Sequence, residues 1–140
     1  MRIGVVCHPT FGGSGVMATE LANHLGRQGH EMHVISYAQP VRLDPFNTQV
    51  HFHEVQVQDY PLFLYQPYEL ALSSAMVETV RKERLDILHV HYAIPHAYAA
   101  FMARQILADQ GIHIPVVTTL HGTDITLVGQ LPAYKPAVCF

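Results

Sequence analysis

Five short apolar runs, separated by longer segments with helical periodicity, constrain the fold of this chain more than any other feature. The runs cover residues 3–7, 32–36, 50–57, 87–91 and 116–120. Apolar runs of this length predict buried strands. Strands that alternate with helices predict a parallel sheet covered on both faces. The predicted fold class is therefore α/β, a doubly wound parallel sheet with strand order 3-2-1-4-5 and ligand contacts beyond the carboxyl ends of the strands.

Three helices are predicted between these strands. The first covers about residues 14–27 and has Met17, Leu21 and Leu25 on one stripe, with Gly29 placed to stop it. The second starts near residue 67 and ends in the charged stretch at 81–86, and the third covers about 96–109, with Gly111 ending it. Residues 121–140 show no obvious final helix or closing strand. We therefore expect one domain over residues 1–140 that is incomplete at its C-terminus and leaves the last strand as an uncovered edge.

A glycine cluster follows the first predicted strand and opens the first predicted helix. Gly12, Gly13, Ser14 and Gly15 stand where backbone N–H groups and the helix dipole can hold an anion. A simpler interpretation is a tight turn in which the glycines allow a positive φ and Ser14 caps the helix. Both interpretations remain open from the residues alone.

Two known phosphate-binding patterns fit this loop poorly. Residues 13–18 match G-x-G-x-x-A, but the glycines lie several residues beyond the strand. The second strand also ends in Ser36 and Tyr37, without an acidic residue for a ribose hydroxyl. A P-loop requires a lysine that this loop lacks. The sequence therefore argues against a dinucleotide cofactor and against a P-loop.

Eleven histidines in 140 residues require that metal binding be considered. His89 and His91 are two apart on a predicted strand and so share one face, and with His96 or His121 they have the residue types of a zinc site. The spacing alone supplies no third and fourth ligand at the right depth. Histidines packed at the carboxyl end of the sheet are the favoured interpretation, and the same applies to His51 and His53.

A second polar cluster directly follows the fifth predicted strand. His121 and Asp124 come where an apolar strand ends, which is where an α/β fold places its ligand contacts. An imidazole at a strand tip can bond sugar hydroxyls or polarise a leaving group. For Asp124 a role as a loop or helix cap stays open beside a direct one.

Composition excludes several classes of function. A net charge of −3 with only eight Lys and Arg residues gives no basic stripe for nucleic acid. The first apolar run is too short for a signal peptide or a membrane span, and two cysteines do not make a disulfide framework. We therefore expect a cytoplasmic protein that binds neither nucleic acid nor membranes.

Together, the GGSGV loop, the LDILHVHYAIPHA segment and the TTLHGTDIT segment resemble the N-terminal domain of retaining glycosyltransferases of family 4, which have the GT-B fold with Rossmann-like domains. The resemblance covers nearly the whole chain. Within the family, the closer likeness is to enzymes of bacillithiol biosynthesis. It implies transfer of N-acetylglucosamine from UDP-N-acetylglucosamine to L-malate with retention and with no metal or other cofactor. A homo-oligomer is compatible with it.

The resemblance also implies roles for individual residues. Gly12, Gly13 and Ser14 would lie by the donor diphosphate, and Ser14 also by the acceptor. Tyr92 and Thr119 would help to seat the malate, and His121 would be the catalytic residue that contacts the transferred sugar. His96 and Asp124 would be structural or secondary. The basic partner of the malate carboxylates is not identified, although Lys135 and Arg42 are candidates by charge.

The resemblance further implies that the donor-binding C-terminal domain lies outside these residues, so we expect little transferase activity from the chain alone. Three alternatives stay open. One is a family 4 enzyme with another sugar or a lipid-linked acceptor. Another is a non-catalytic α/β module that self-associates through its open sheet edge. The third is a metal-dependent hydrolase that uses His89, His91 and His121.

Overall fold

The computed structural model describes all 140 residues and contains one five-stranded parallel sheet. The strands are β1 (Arg2–Val6), β2 (Glu31–Ser36), β3 (Val50–Glu54), β4 (Ile87–His91) and β5 (Val116–Thr119). Their order is β3-β2-β1-β4-β5, with every neighbouring pair parallel. The predicted strand order and the Rossmann-like fold class are confirmed. The third strand is shorter than predicted, since it ends at Glu54.

Helices cover both faces of this sheet. They are α1 (Gly13–Arg27), α2 (Tyr68–Glu83), a π-helical turn (Ala93–Ala97) and α3 (Tyr98–Asp109). Alternate strand residues face opposite sides, so Val5 packs with the residues of α1 while Val6 packs with those of α2 and α3. The larger core, on the α2 and α3 side, contains 15 buried residues, and the core under α1 contains six. The core therefore has two layers, one on each side of the sheet.

Glycines end two of the helices as predicted. Gly29 follows α1 with a φ of +89°, and Gly111 follows α3 with a φ of +77°. A left-handed residue after a helix terminates it, and glycine adopts this conformation without a side-chain penalty. The third helix begins later than predicted, at Tyr98, because the π-helical turn occupies the preceding five residues.

The C-terminal segment corrects the expectation that no helix follows β5. It forms α4 (Thr123–Thr126), a 3₁₀ turn (Val128–Gln130) and α5 (Lys135–Cys139). These elements are too short for a helical period to show in the sequence. None of the helices is both long and apolar enough to span a bilayer.

Candidate functional site

A polar cavity of about 500 Å³ opens at the carboxyl ends of β1, β4 and β5. It is lined by His8, Thr10, Gly12, Gly13, Ser14, Tyr92, His121 and Thr123. The segments that follow three neighbouring parallel strands meet there because all these strands point the same way. Gly12, Gly13, Ser14, Tyr92 and His121 were predicted as site residues, and the fold brings them together.

The glycine cluster forms the edge of the cavity at the N-terminus of α1. Gly12 is the N-cap, and neither a side-chain cap nor an acidic residue in the first turn occupies this helix end. Its N–H groups and the positive end of the helix dipole therefore remain available to an anion. The interpretation of Ser14 as the cap is wrong, since Ser14 lies inside the first turn.

None of the glycines in this loop has a positive φ, so the tight-turn interpretation is also wrong. Gly15 is buried, and a Cβ at this position would lie 2.6 Å from the carbonyl oxygen of Thr10 and nearer still to that of His8. A Cβ at Gly13 would have no atom within 4 Å and would face open space. Gly15 is thus required for packing, whereas Gly13 keeps the cavity edge bare.

Tyr92 forms the opposite wall of the cavity in an unusual backbone conformation. Its φ is +86°, which few L-residues other than Asn and Asp adopt. The Tyr92 N–H donates to the carbonyl oxygen of Thr119 at 3.0 Å, and the Tyr92 hydroxyl shares a hydrogen bond of 2.9 Å with that of Thr123. These contacts fix the ring beside the cavity. Such strained conformations occur often at functional sites.

Histidine rings form a hydrogen-bonded layer behind the cavity. Nε2 of His121 and Nδ1 of His91 share a hydrogen bond of 3.0 Å, and His91 is buried. Nε2 of His89 and the hydroxyl of Thr119 are 2.7 Å apart. Because His91 is buried, its hydrogen bond holds the His121 ring in one orientation. His121 and His8 are the imidazoles that line the cavity.

Asp124 joins the loops after β4 and β5. It has no exposed surface, and its two carboxylate oxygens accept the N–H groups of Ala93 and of His121, each at 3.0 Å. It does not line the cavity. Asp124 therefore has the structural role that was one of its two predicted interpretations, and it fixes the backbone on which His121 and Tyr92 stand.

His96 lies beneath the cavity with no exposed surface. Its Nδ1–H donates to the carbonyl oxygen of His91 at 2.6 Å, and the centroids of the His96 and His8 rings are 4.3 Å apart. Burial, and then the nearby His8, lowers the pKa of His96 to about 4. Burial, and then the other histidines, lowers the pKa of His91 to about 4. Both rings are neutral at neutral pH.

The free energy of unfolding is expected to fall when the pH is lowered from 7 to 5. The pKa values of His91 and His96 lie near 6.5 in the unfolded chain and near 4 in the folded one, so protons bind the unfolded chain first. Their contribution is present in full above about pH 6.5 and is lost as the pH falls toward 4, with a loss on the order of 2 kcal/mol for each of the two histidines at pH 5. Urea unfolding at pH 7, 6 and 5 measures this loss in the free energy of unfolding.

A variant isolates this pH effect from the other histidines. His96→Asn keeps a donor near the position of Nδ1 but cannot titrate, so its stability is expected to depend less on pH. His113→Gln, at an exposed histidine, should show the same change of the free energy of unfolding with pH as the parent. If this change is equal in all three proteins, His96 is not the source of the pH dependence.

Several predicted residues do not line the polar cavity. Thr119 turns its hydroxyl to His89, and its acceptor role stays a prediction. Arg42 lies on the surface, paired with Glu20 at 3.0 Å, and neither Arg42 nor Lys135 lines the cavity. The cavity has no Lys or Arg in its wall, so His8 and His121 are its basic side chains.

Three residues of the lining were missed by the sequence analysis. His8 and Thr10 lie four and two positions before Gly12, and Thr123 follows His121 by two positions. A polar residue next to a predicted ligand loop was the available signal. A second, mostly apolar cavity of about 670 Å³ adjoins the first and shares His8 and Tyr92 with it.

The metal-dependent alternative finds little support in the geometry at this end of the sheet. His91 and His121 bond each other, and His89 bonds Thr119. The three rings do not bring their ligand nitrogens together as a group of three. A hydrolytic metal on His89, His91 and His121 would require this network to be rebuilt.

A doubly wound parallel sheet with a bare glycine edge at the first helix and polar side chains at the next strand tips is typical of a domain that binds phosphorylated ligands. The family model for Glycosyltransferase Family 4 matches residues 11–137. The chain belongs to this family. The family predicted from the motifs is confirmed.

Individual relatives agree with this assignment. The chain is 49% identical over its whole length to N-acetyl-alpha-D-glucosaminyl L-malate synthase of Bacillus anthracis, and it spans 36% of that protein. A UGT transferase of Siraitia grosvenorii solved with UDP has a TM-score of 0.57 and 18% identity, over 84% of this chain and 27% of the other. A glycosyltransferase of Rickettsia africae has a TM-score of 0.54 and 16% identity, over 96% of this chain and 34% of the other. The solved structures support the fold.

Proposed function

We propose that this chain is the acceptor-side, N-terminal domain of a glycosyltransferase that moves N-acetylglucosamine from UDP-N-acetylglucosamine to L-malate with retention of anomeric configuration. The observation that carries the proposal is the open N-terminus of α1, which faces Tyr92 and His121 across a polar cavity. The name of the Bacillus anthracis relative supplies the sugar and the acceptor.

The glycine edge suits negatively charged oxygens. Gly12 and Gly13 have no side chains, so a diphosphate or a carboxylate can reach the N–H groups at the start of α1. The Ser14 hydroxyl stands in the same first turn and can donate one further hydrogen bond. Because the wall contains no Lys or Arg, helix-end donors carry most of the anion recognition by this domain.

His121 is proposed to contact the sugar that is transferred. Its ring lies in the cavity wall, and its Nε2 is tied to His91. A fixed imidazole beside a sugar hydroxyl can orient the ring for attack by the acceptor, and orientation supplies much of a transferase's rate. Stabilising the departing UDP needs donors or cations at the phosphates, and few exist here. Transfer by the chain alone is therefore proposed to be weak.

Calorimetric titration of the chain with L-malate tests the acceptor site, with D-malate as the stereochemical control. Saturable binding of L-malate is expected. Ser14→Ala and Tyr92→Phe each remove one hydroxyl donor to a charged ligand, so each is expected to weaken binding by about tenfold or more. Binding that is insensitive to both changes would contradict this placement of the acceptor.

A matched control separates the site from general effects of losing a hydroxyl. Ser74→Ala removes a hydroxyl on the exposed side of α2 that bonds only its own helix, at the carbonyl of Leu70. It is expected to bind malate as the parent does. If no variant or parent binds, the same titration on a chain with the donor-binding domain distinguishes a site completed by that domain from a different acceptor.

A further inference from the structure

A group of imidazole and carboxylate side chains lies far from the polar cavity, near the other edge of the sheet. His33 is on β2, His53 is on the edge strand β3, and Glu83 is the last residue of α2. One ligand atom from each of the three lies within 4.8 Å of the other two. We call these three residues the histidine–glutamate cluster. None of them lines either of the cavities described above.

Strand register brings the two histidines together. Ile35 pairs with His53 and His33 pairs with His51, so residues two apart on each strand share a face. This face is the one on which α2 packs, opposite to that of Val34. Nδ1 of His33 lies 2.9 Å from Nε2 of His53. His33 is 1% exposed, whereas His53 and Glu83 are half-buried and within reach of solvent.

The far side of the His33 ring is already held in the way that metal-binding imidazoles are held. Nε2 of His33 lies 3.2 Å from a carboxylate oxygen of Glu31, and the other oxygen of Glu31 accepts from Nε of Arg2 at 3.0 Å. A histidine that binds a metal through one nitrogen almost always donates the other N–H to a carboxylate, a carbonyl or water. With Nε2–H directed at Glu31, the lone pair of Nδ1 points toward His53.

We propose that Nδ1 of His33, Nε2 of His53 and a carboxylate oxygen of Glu83 bind a zinc ion, with the fourth position left to water. Two imidazoles and one carboxylate are a known donor set for Zn²⁺, which prefers four tetrahedral ligands at about 2.0–2.2 Å. The hydrogen that the two imidazoles share gives way to the metal, and His53 then carries its proton on Nδ1. No net proton release from the rings is required.

Binding of zinc requires the three ligand atoms, which lie within 4.8 Å of one another, to be brought to tetrahedral spacing. Ligand atoms around tetrahedral zinc are about 3.3 Å apart, so the two imidazole nitrogens must separate slightly from 2.9 Å. Glu83 has to turn toward the rings and away from Lys82, whose Nζ lies 3.6 Å from its carboxylate. That exposed pair is weak and is easily replaced.

Zinc at this place would connect the end of α2 to β2 and to the edge strand β3. The proposed ion stabilises the sheet edge, since a metal that binds only the folded chain raises its stability. It lies on the other side of β1 from β4 and β5, which precede Tyr92 and His121. The site is therefore independent of the proposed transfer reaction.

Titration of the metal-free chain with ZnCl₂ tests the site. One equivalent is expected to bind saturably at micromolar or lower concentration and to raise the melting temperature. His53→Gln and Glu83→Gln each remove one ligand, so each is expected to weaken binding at least tenfold and to reduce the thermal shift. Both positions are half-buried, which makes them better test sites than the fully buried His33.

A matched control accounts for the many other histidines of the chain. His113→Gln removes an exposed histidine outside the cluster and is expected to bind zinc as the parent does. Substitution with Co²⁺ should give the visible absorption of a four-coordinate ion in the parent and in His113→Gln, and should lose it in His53→Gln. No saturable zinc binding, or binding that survives both His53→Gln and Glu83→Gln, would overturn the proposal.

Discussion

Replacing Asp124 with Ala is expected to lower the free energy of unfolding by about 2–5 kcal/mol, the largest effect of any single change in the region of the site. The carboxylate is fully buried and accepts the N–H groups of Ala93 and His121 at 3.0 Å each. Without it, two backbone donors lose their partners, and a buried donor left unpaired costs about 1–3 kcal/mol. Urea unfolding at neutral pH gives the difference.

Two further variants make this result specific. Asp124→Asn retains a carbonyl oxygen that can accept one of the two N–H groups, so its loss should be smaller. Thr126→Ala, two residues on, removes an exposed hydroxyl that bonds only Gly122 within the same turn, and it should change stability by less than about 0.5 kcal/mol. An Asp124→Ala protein as stable as the Thr126→Ala protein would mean that water replaces the carboxylate.

The sheet could be predicted from the sequence because its signal is local. Each strand except β3, which is VHFHE, carries an apolar stretch, and the handedness of βαβ crossovers leaves few possible strand orders. The ends of α1 and α3 were also predictable. Each helix is followed by a residue with a positive φ, and glycine, here Gly29 and Gly111, adopts this conformation most readily. By contrast, α4 has four residues, and its existence depends on the long-range contacts of Asp124 to the loop after β4.

The site was predictable where a residue follows a strand and much less so elsewhere. Gly13, Tyr92 and His121 each stand after the end of a predicted strand, so parallel topology alone brings them to one edge. Thr119 is still inside β5, where alternation turns its side chain to His89. Which hydroxyl faces the cavity depends on this alternation and on the exact strand end, which periodicity does not fix.

The histidine–glutamate cluster shows a different limit of sequence analysis. His51 and His53 are visible as a pair two apart, but their neighbours in space are not their neighbours in sequence. His33 lies 20 residues before His53 and reaches it through the parallel register of β2 and β3. Glu83 arrives from the end of α2. A ligand set assembled from three elements has no spacing that could be recognised in advance.

Gly15→Ala is expected to destabilise the chain by about 2–3 kcal/mol, whereas Gly13→Ala should leave its stability unchanged or slightly raised. At position 15 the new methyl group meets the carbonyl oxygens of His8 and Thr10, which are backbone atoms and cannot turn aside as a side chain would. At position 13 it points into open space, and Ala favours a helix over Gly by about 1 kcal/mol. Thermal or urea unfolding of both variants gives the comparison.

The same pair separates the two reasons for having glycines in this loop. If the bare edge at Gly13 exists for a ligand, Gly13→Ala should fold as well as the parent and yet bind L-malate or UDP-N-acetylglucosamine more weakly, because its methyl group stands between the anion and the N–H groups of α1. Gly15→Ala should lose stability first, and any loss of binding should follow from that. Equal stability of the two variants would mean that the loop can move away from α1, and undiminished binding by Gly13→Ala would place the anion elsewhere in the cavity.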